Sequence, residues 1–176
     1  MKSLSISLAF ICTLMVSSLF AQVSREYQLK AAFVYNFTQF VSWPKEAYSS
    51  EQAPLKIAVI GENAFGKVLE QLVNNELKDG RRIEVVYFSS PASIESLKDI
   101  QLAYFVKSAG DNAELLKKVS GYGTLLVGDH QDFLGKGGVM LLYPEANKLK
   151  FKVNLDKAQS ESYKISSKLL KMATIY

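Results

Sequence analysis

Apolar strand-like segments alternate with helix-like segments through the middle of the chain, and this alternation constrains the fold more than any other feature. The strand-like segments are short and rich in branched or aromatic residues; they are Leu55–Gly61, Ile83–Phe88, Leu102–Val106 and Gly123–Gly128. Helical patterns lie between them at Asn63–Leu77, Ser93–Lys98 and Asp111–Val119. Strands joined by helical crossovers lie parallel with right-handed connections, so the pattern predicts a parallel sheet.

The pattern changes near the C-terminus, where two strands are joined by a short turn. Val139–Leu142 and Leu149–Leu155 flank the turn Pro144–Lys148, and the second strand alternates apolar and polar residues, as a half-exposed antiparallel strand does. Asp156 is expected to cap a last helix, whose apolar face would be Ile165, Leu169 and Met172. The prediction is an α/β fold: a Rossmann-like three-layer domain with a mostly parallel sheet, a C-terminal antiparallel hairpin and flanking helices.

The segment Ser24–Val41 contains no Pro or Gly and predicts an N-terminal helix. Trp43-Pro44 ends it, because the residue before a proline avoids the helical region. The helix is apolar nearly all round, so it should be deeply buried or meet two partners. One face is expected to pack on the sheet or on the last helix: Leu29, Phe33, Phe37 and Phe40. Tyr35 and Trp43 then remain for a partner or dimer surface, and Asn36 must find hydrogen bonds if it is buried.

The first 21 residues predict a secretory signal peptide, which leaves residues 22–176 as a single domain. Lys2 is followed by an apolar run from Leu4 to Phe20 and then by Ala21, which is the order of a signal segment. The run is too short and isolated to predict a membrane span. Export removes ATP, NAD and a reducing thiol pool from the surroundings, so we expect a soluble protein outside the inner membrane, without a cofactor.

The composition argues against several classes of site. The only cysteine, Cys12, lies in the signal segment, so the exported chain has no disulfide, cysteine nucleophile or thiolate metal site. A single histidine cannot form a zinc site alone, so no metal is expected. The net charge of +4 is mild and spread along the chain, which argues against a nucleic-acid partner.

Two turns that follow predicted strands carry residues that could bind a ligand. Gly61–Lys67 nearly spells a P-loop, but Val68 stands where the Mg²⁺-binding hydroxyl is required, so a plain strand–turn–helix junction is favoured. Gly128-Asp129-His130 follows the fourth strand, at the edge where α/β sheets bind ligands. Asp129 and His130 could exchange protons with a substrate. No serine elbow accompanies them, and a polar turn is favoured.

Three segments together resemble the YfiR-like family of periplasmic proteins. Lys30–Pro44 is similar to the N-terminal signature, Ile57–Gly61 to the first strand, and Phe151–Leu155 with Ile165–Leu170 to the C-terminal strand and helix. The resemblance implies a regulator, not an enzyme, which restrains a membrane-bound diguanylate cyclase through its extracytoplasmic domain; some relatives accompany sensor kinases. The better-known relatives carry disulfide-forming cysteines, so redox control of activity is not expected to transfer to this chain.

Two functions of different classes follow. The first is a periplasmic signalling regulator that restrains a membrane-bound diguanylate cyclase or sensor kinase without catalysis and could also form a homodimer. Its candidate partner-binding residues are Tyr35, Asn36, Trp43 and Lys168, the last on a basic face of the predicted last helix. The alternative is a periplasmic small-ligand-binding protein with the candidates Gly61, Asp129 and His130. A flat apolar patch would favour the first function, and a deep pocket with convergent polar groups the second.

Overall fold

The structure is an α/β fold, as predicted, with a mixed sheet and short helices. The computed structural model describes residues 25–65, 67–91, 94, 97–110 and 112–176. The helices are α1 (residues 25–40), α2 (Val68–Val73), α3 (Ala113–Val119), α4 (Leu155–Gln159) and α5 (Ser167–Leu170). The strands are β1 (Val41–Ser42), β2 (Leu55–Ile60), β3 (Leu77–Lys78), β4 (Arg81–Phe88), β5 (Leu102–Phe105), β6 (Leu125–Gly128), β7 (Met140–Glu145), β8 (Lys148–Val153), β9 (Lys164–Ile165) and β10 (Thr174–Ile175).

Most of these strands form one sheet in the order β10–β8–β7–β6–β5–β2–β4–β3. The neighbours from β4 through β2, β5 and β6 to β7 pair in parallel, and β10 is parallel to β8. The pairs β7–β8 and β3–β4 are antiparallel, so the predicted C-terminal hairpin is present. Strands β1 and β9 form a separate antiparallel pair, in which Val41 stands opposite Ile165.

The structure does not confirm the Rossmann-like three-layer arrangement, because the helices between the strands are short. Helix α2 covers 6 residues, although Asn63–Leu77 predicted a longer helix. The chain leaves this helix after Val73, and Asn75 adopts a φ of 62°. Leu77–Lys78 then pairs with the start of β4. This pairing satisfies backbone groups that a longer helix would have bonded internally.

The predicted last helix is wrong, because the chain after β8 is divided among two short helices and two short strands. Asn154, not Asp156, caps α4, and its side-chain oxygen accepts a hydrogen bond from the Lys157 N–H at 3.0 Å. Ser166 caps α5 in the same way. Between these helices β9 pairs with β1, and after them β10 pairs with β8. The expected single apolar face of one continuous helix therefore does not exist.

Several predictions concern residues outside the described part of the chain. The signal peptide (residues 1–21) and the cap Asp111 lie there, and so do three of the six residues of the helix expected at Ser93–Lys98. The division into a signal peptide and one domain over residues 22–176 stays a prediction. The predicted end of a helix at Val119 is confirmed, since α3 ends there.

Helix α1 meets the sheet along its inner face and on two flanks. Its inner face is buried and consists of Ala31, Val34, Phe37 and Thr38. On one flank, the rings of Phe33 and Phe37 lie 5.9 and 5.2 Å from the ring of Phe151 in β8. On the other flank, Lys78 Nζ in β3 donates to the Gln39 carbonyl at 3.4 Å. Because β8 and β3 stand near opposite ends of the strand order, the sheet curls around this helix.

The β7–β8 hairpin closes through a two-residue turn that holds a strained alanine. Ala146 and Asn147 have positive φ values of 48° and 61°, as a type I′ turn requires. Asparagine tolerates this region, whereas alanine is strained in it.

We expect Ala146→Gly to stabilise the protein by about 1 kcal/mol, which is the left-handed penalty at one residue reduced by the extra entropy of glycine. Asn147→Ala is the matched control in the same turn and should destabilise it. Urea unfolding of both variants measures the effect. An Ala146→Gly variant less stable than the parent would contradict the strained turn.

Candidate functional site

An apolar groove of about 250 Å³ runs between α1 and β8. Its walls come from α1, β8 and the segment around α5. The lining residues, here called the α1–β8 groove, are Phe33, Asn36, Phe37, Phe40, Leu149, Lys150, Phe151, Leu169 and Met172. Aromatic and aliphatic side chains dominate this set, and an exposed apolar depression with few polar groups is typical of a binding site.

A wider cleft of about 710 Å³ adjoins the groove at the hairpin turn. The two share Leu149, and the cleft is more polar; it is lined by Arg25, Glu26, Leu29, Pro144, Asn147, Lys148 and Leu149. The prediction that Leu29 packs on the sheet is wrong, since this side chain is 48% exposed at the cleft. Together the groove and the cleft leave one side of α1 open along several turns.

The alternation within β8 forms the apolar wall of the groove. Successive side chains of a strand point to opposite faces. Phe151 packs against α1, so Leu149 lies on the same face. Lys150 and Lys152 lie on the opposite face, where Lys150 pairs with Glu145 of β7. The sequence pattern that predicted a half-exposed strand therefore also places its apolar side against α1.

Two of the four predicted partner-binding residues lie at the groove. Asn36 lines it and is exposed. Lys168 Nζ stands 5.5 Å from the ring centroid of Phe40, which is another lining residue. Tyr35 lies on the other flank of α1, where its hydroxyl donates to Glu76 at 2.8 Å. The four candidates therefore do not form one surface.

Trp43 does not lie on an outer surface, contrary to the expected position. It is 9% exposed, its ring centroid lies 6.3 Å from that of Tyr163, and its Nε1 donates to the Gly123 carbonyl at 3.1 Å. The register of β1 with β9 explains the difference. Val41 pairs with Ile165, and continuing this register brings Trp43 opposite Tyr163.

The predicted ligand-binding residues follow β2 and β6, which are separated by β5. Two strand spacings place Gly61 and Asp129 about 10 Å apart. The Gly61 N–H donates to the Phe88 carbonyl at 2.8 Å, and the His130 ring lies 5.1 Å from the ring of Phe133. Protein groups therefore contact both Gly61 and His130.

Asp129 is buried, so its interpretation as part of a solvated polar turn is wrong. Its side chain is 1% exposed and pairs with Lys30, itself 6% exposed, at 2.6 Å. Lys30 Nζ also pairs with Glu26 at 2.6 Å and stands 4.6 Å from the centroid of the Tyr27 ring. The N-terminal part of α1 thus lies against the end of β6 and encloses the carboxylate.

The pKa values of Lys30 and Tyr104 are both raised in this buried cluster. Burial lowers the pKa of Lys30, but hydrogen bonds to Asp129 and Glu26 outweigh this effect and raise the pKa overall. Burial raises the pKa of Tyr104 well above its usual value, and the neighbouring Asp129 raises it further. Lys30 therefore stays charged and Tyr104 keeps its proton. The ion pair between Lys30 and Asp129 therefore holds α1 against the end of β6.

Sequence reasoning misses Lys30 as a structural residue, although a signal is present. It is a basic residue within an apolar helix, directly before Ala31, Ala32 and Phe33. A charge in such a run needs a buried partner. Sequence reasoning also misses Leu149 and Met172 as site residues, because the tertiary packing of the hairpin and α5 brings them to the groove.

Within the part of the chain that the structure describes, no three His, Cys, Asp or Glu side chains are grouped so that they could hold a metal ion. The same residues include no helix that is both long enough and apolar enough to cross a membrane.

Comparison with known proteins confirms the resemblance found in the sequence. The chain matches the YfiR/HmsC-like family model over residues 27–174. No curated protein matches it. A solved structure, the ABC domain in complex with L-Trp from Streptococcus pneumonia, is similar at a TM-score of 0.50 and 13% identity, over 69% of this chain and 54% of that chain. At this identity the similarity concerns the fold alone, and this chain spans about half the length of that domain. The family match includes α1 from residue 27 onward, the central strands of the sheet and the α1–β8 groove, and this chain belongs to the YfiR/HmsC-like family.

Proposed function

We propose that this protein is a periplasmic regulator of cyclic-di-GMP signalling that binds the periplasmic domain of a membrane-bound diguanylate cyclase and holds it inactive. The observation that carries the proposal is the family match over residues 27–174, because YfiR-like proteins are regulators rather than enzymes. A membrane-bound sensor kinase is the other partner class that the family allows. Regulation by occupancy needs no chemical step: the bound partner is inactive, and release restores its activity.

The α1–β8 groove is the surface that best supports this proposal. Aromatic side chains line the groove, and Met172 beside them is 58% exposed. Burying this apolar surface against a partner would be favourable. Asn36 and Lys168 stand at the groove as polar groups. An apolar centre with a polar rim is the usual composition of a protein–protein interface. We therefore assign partner binding to the groove, with Asn36 and Lys168 as rim residues.

A charge placed in the groove should weaken partner binding. We expect Met172→Asp to reduce affinity for the partner's periplasmic domain by about thirtyfold or more, the effect of losing a hot-spot side chain worth at least 2 kcal/mol. Titration calorimetry with the purified periplasmic domain of each membrane cyclase of the same cell measures the loss. Cells that carry the variant should show raised cyclic-di-GMP.

Leu77→Asp is the matched control for this experiment. Leu77 is 55% exposed, close to the value for Met172, but it lies in β3 at the other edge of the sheet. We expect this variant to bind the partner as the parent does. Equal losses in both variants would remove the groove from the proposal. A protein that binds none of the cyclase or kinase domains would overturn the proposed function itself.

Small-ligand binding is the second candidate function. The similar domain from Streptococcus pneumonia is in complex with L-Trp, and the groove volume of about 250 Å³ is slightly below the usual range for ligand pockets. We place this function second, because Gly61 and Asp129 are bound to other groups of the protein. Saturable binding of a free amino acid, lost in Met172→Asp but kept in Leu77→Asp, would move it ahead.

A further inference from the structure

We propose that the α1–β8 groove accepts an extended segment of the partner protein as an additional strand beside β8, and that this segment alternates apolar and acidic residues. The inference rests on the proposed function only for the identity of the protein that carries the segment. It concerns how the groove binds.

The first argument is the direction of the backbone groups in β8. The two-residue turn makes Glu145 and Lys148 the first hydrogen-bonded pair of the hairpin. Such pairs alternate with non-bonded ones, so Leu149 and Phe151 direct their N–H and C=O groups away from β7. Pro144, which has no N–H, stands opposite Leu149, and a non-bonded position accommodates it.

The second argument is that β10 covers a small part of this outer edge. Among the described residues, the register of β10 with β8 pairs Thr174 with Lys152 and Ile175 with Val153. In this register the Thr174 N–H meets the Phe151 carbonyl, so the outward groups that lie beyond this short strand are the Phe151 N–H and both backbone groups of Leu149. The α1–β8 groove and the adjoining cleft lie along that same stretch. An extended chain that follows the line of β10 would therefore lie inside the groove, and strand addition to an exposed edge is a recurring mode of peptide binding.

The third argument is the chemistry on the two faces of the edge. Side chains of an added strand that point towards α1 would meet Leu149 and Phe40, so they should be apolar. Side chains that point the other way would lie beside Lys148 and Lys150. Glu145 already pairs with Lys150, and Lys148 stands exposed next to the open edge. Opposite charges on neighbouring strands are stabilising, so acidic residues fit this face.

The same lysines argue against a second copy of this chain as the occupant. Two β8 edges that pair with each other beyond β10 would bring Lys148 and Lys150 of one copy against those of the other. Like charges directly opposite each other are destabilising, and lysine on an edge strand is a known protection against self-pairing. A partner with acidic residues has no such penalty.

The test uses the purified protein and two labelled eight-residue probes, one alternating valine with glutamate and one alternating valine with lysine. We expect the glutamate probe to bind at least about tenfold more tightly at low salt, because it complements the lysine face. The double variant Lys148→Glu with Lys150→Glu should reverse this preference. Amide exchange should slow at Leu149 and Phe151 when the glutamate probe is bound, and not at Leu77.

N-methylated probes separate strand addition from simple apolar contact. Successive N–H groups of an extended peptide point to opposite edges. Methylation of one alternate set should abolish binding of the glutamate probe, and methylation of the other set should leave it nearly unchanged. Equal losses for both sets, or no preference between the two probes, would overturn strand addition. If the probes fail while Met172→Asp still loses the cyclase domain, the proposed function stands and the binding mode is wrong.

Discussion

Asp129→Ala is expected to destabilise the protein by about 3–5 kcal/mol, because it leaves Lys30 buried without its main counter-ion. The two side chains are 1% and 6% exposed and lie 2.6 Å apart. Glu26 remains as a partner for Lys30, but its side chain is half exposed, so water screens its attraction to Lys30. This loss of stability is far larger than that of a typical substitution in an exposed turn, which is about 0.5 kcal/mol. Urea unfolding followed by circular dichroism measures the free energy of unfolding.

Asp132→Ala and a double substitution are the controls for this result. Asp132 is an exposed aspartate in the same loop, so its removal should change the free energy of unfolding by no more than about 0.5 kcal/mol. Replacing both members of the pair, as Lys30→Met with Asp129→Leu, should cost less than the two single losses combined, since no unpaired charge remains. Equal small effects of Asp129→Ala and Asp132→Ala would show that the pair is not formed in solution.

The central strands could be predicted from the sequence because their signal is local. Strands β2 and β5 are buried along nearly their whole length, so they appear as continuous apolar runs bounded by polar or turn residues. The hairpin could also be predicted, since β8 alternates lysine with apolar residues. Both patterns follow directly from which faces of a strand meet the core.

The C-terminal elements could not be predicted because distant pairing decides them. Ile165 belongs to β9, which depends on Val41, more than a hundred positions earlier in the chain. The segment has no proline, and its apolar spacing favours a helix. Pairing with β1 and β8 supplies hydrogen bonds that a helix would otherwise provide, and local propensity is a weak preference by comparison.

The candidate site shows the same division between local and distant information. Asn36 was recognisable as a polar residue in an aromatic helix, and it does line the groove. The ion pair between Lys30 and Asp129 joins residues 99 positions apart, so neither neighbourhood reveals the other. A turn after a strand is usually solvated, whereas here α1 docks across the turn and helps to bury the Asp129 side chain.

Substitution of Trp43 is the second change expected to have a large effect on stability, because this side chain is buried in the core. Its indole packs near Tyr163, and its Nε1 hydrogen bond to the Gly123 carbonyl is buried. The Gly123 N–H in turn donates to Glu161 at 3.3 Å. Trp43 thus joins the end of α1 to the loop before β6 and to the chain before β9.

Trp43→Ala should therefore cost about 3–5 kcal/mol in stability, through a large cavity and an unpaired carbonyl oxygen. Trp43→Phe fills most of the space and loses only the N–H donor, so it should cost about 1–3 kcal/mol. Both are measured by urea unfolding, and partner affinity is measured on the Trp43→Phe protein at a temperature where it is fully folded. A buried side chain predicts unchanged affinity there. A folded Trp43→Phe protein that no longer binds the cyclase domain would instead place the interface at the end of α1 or at the elements that Trp43 contacts.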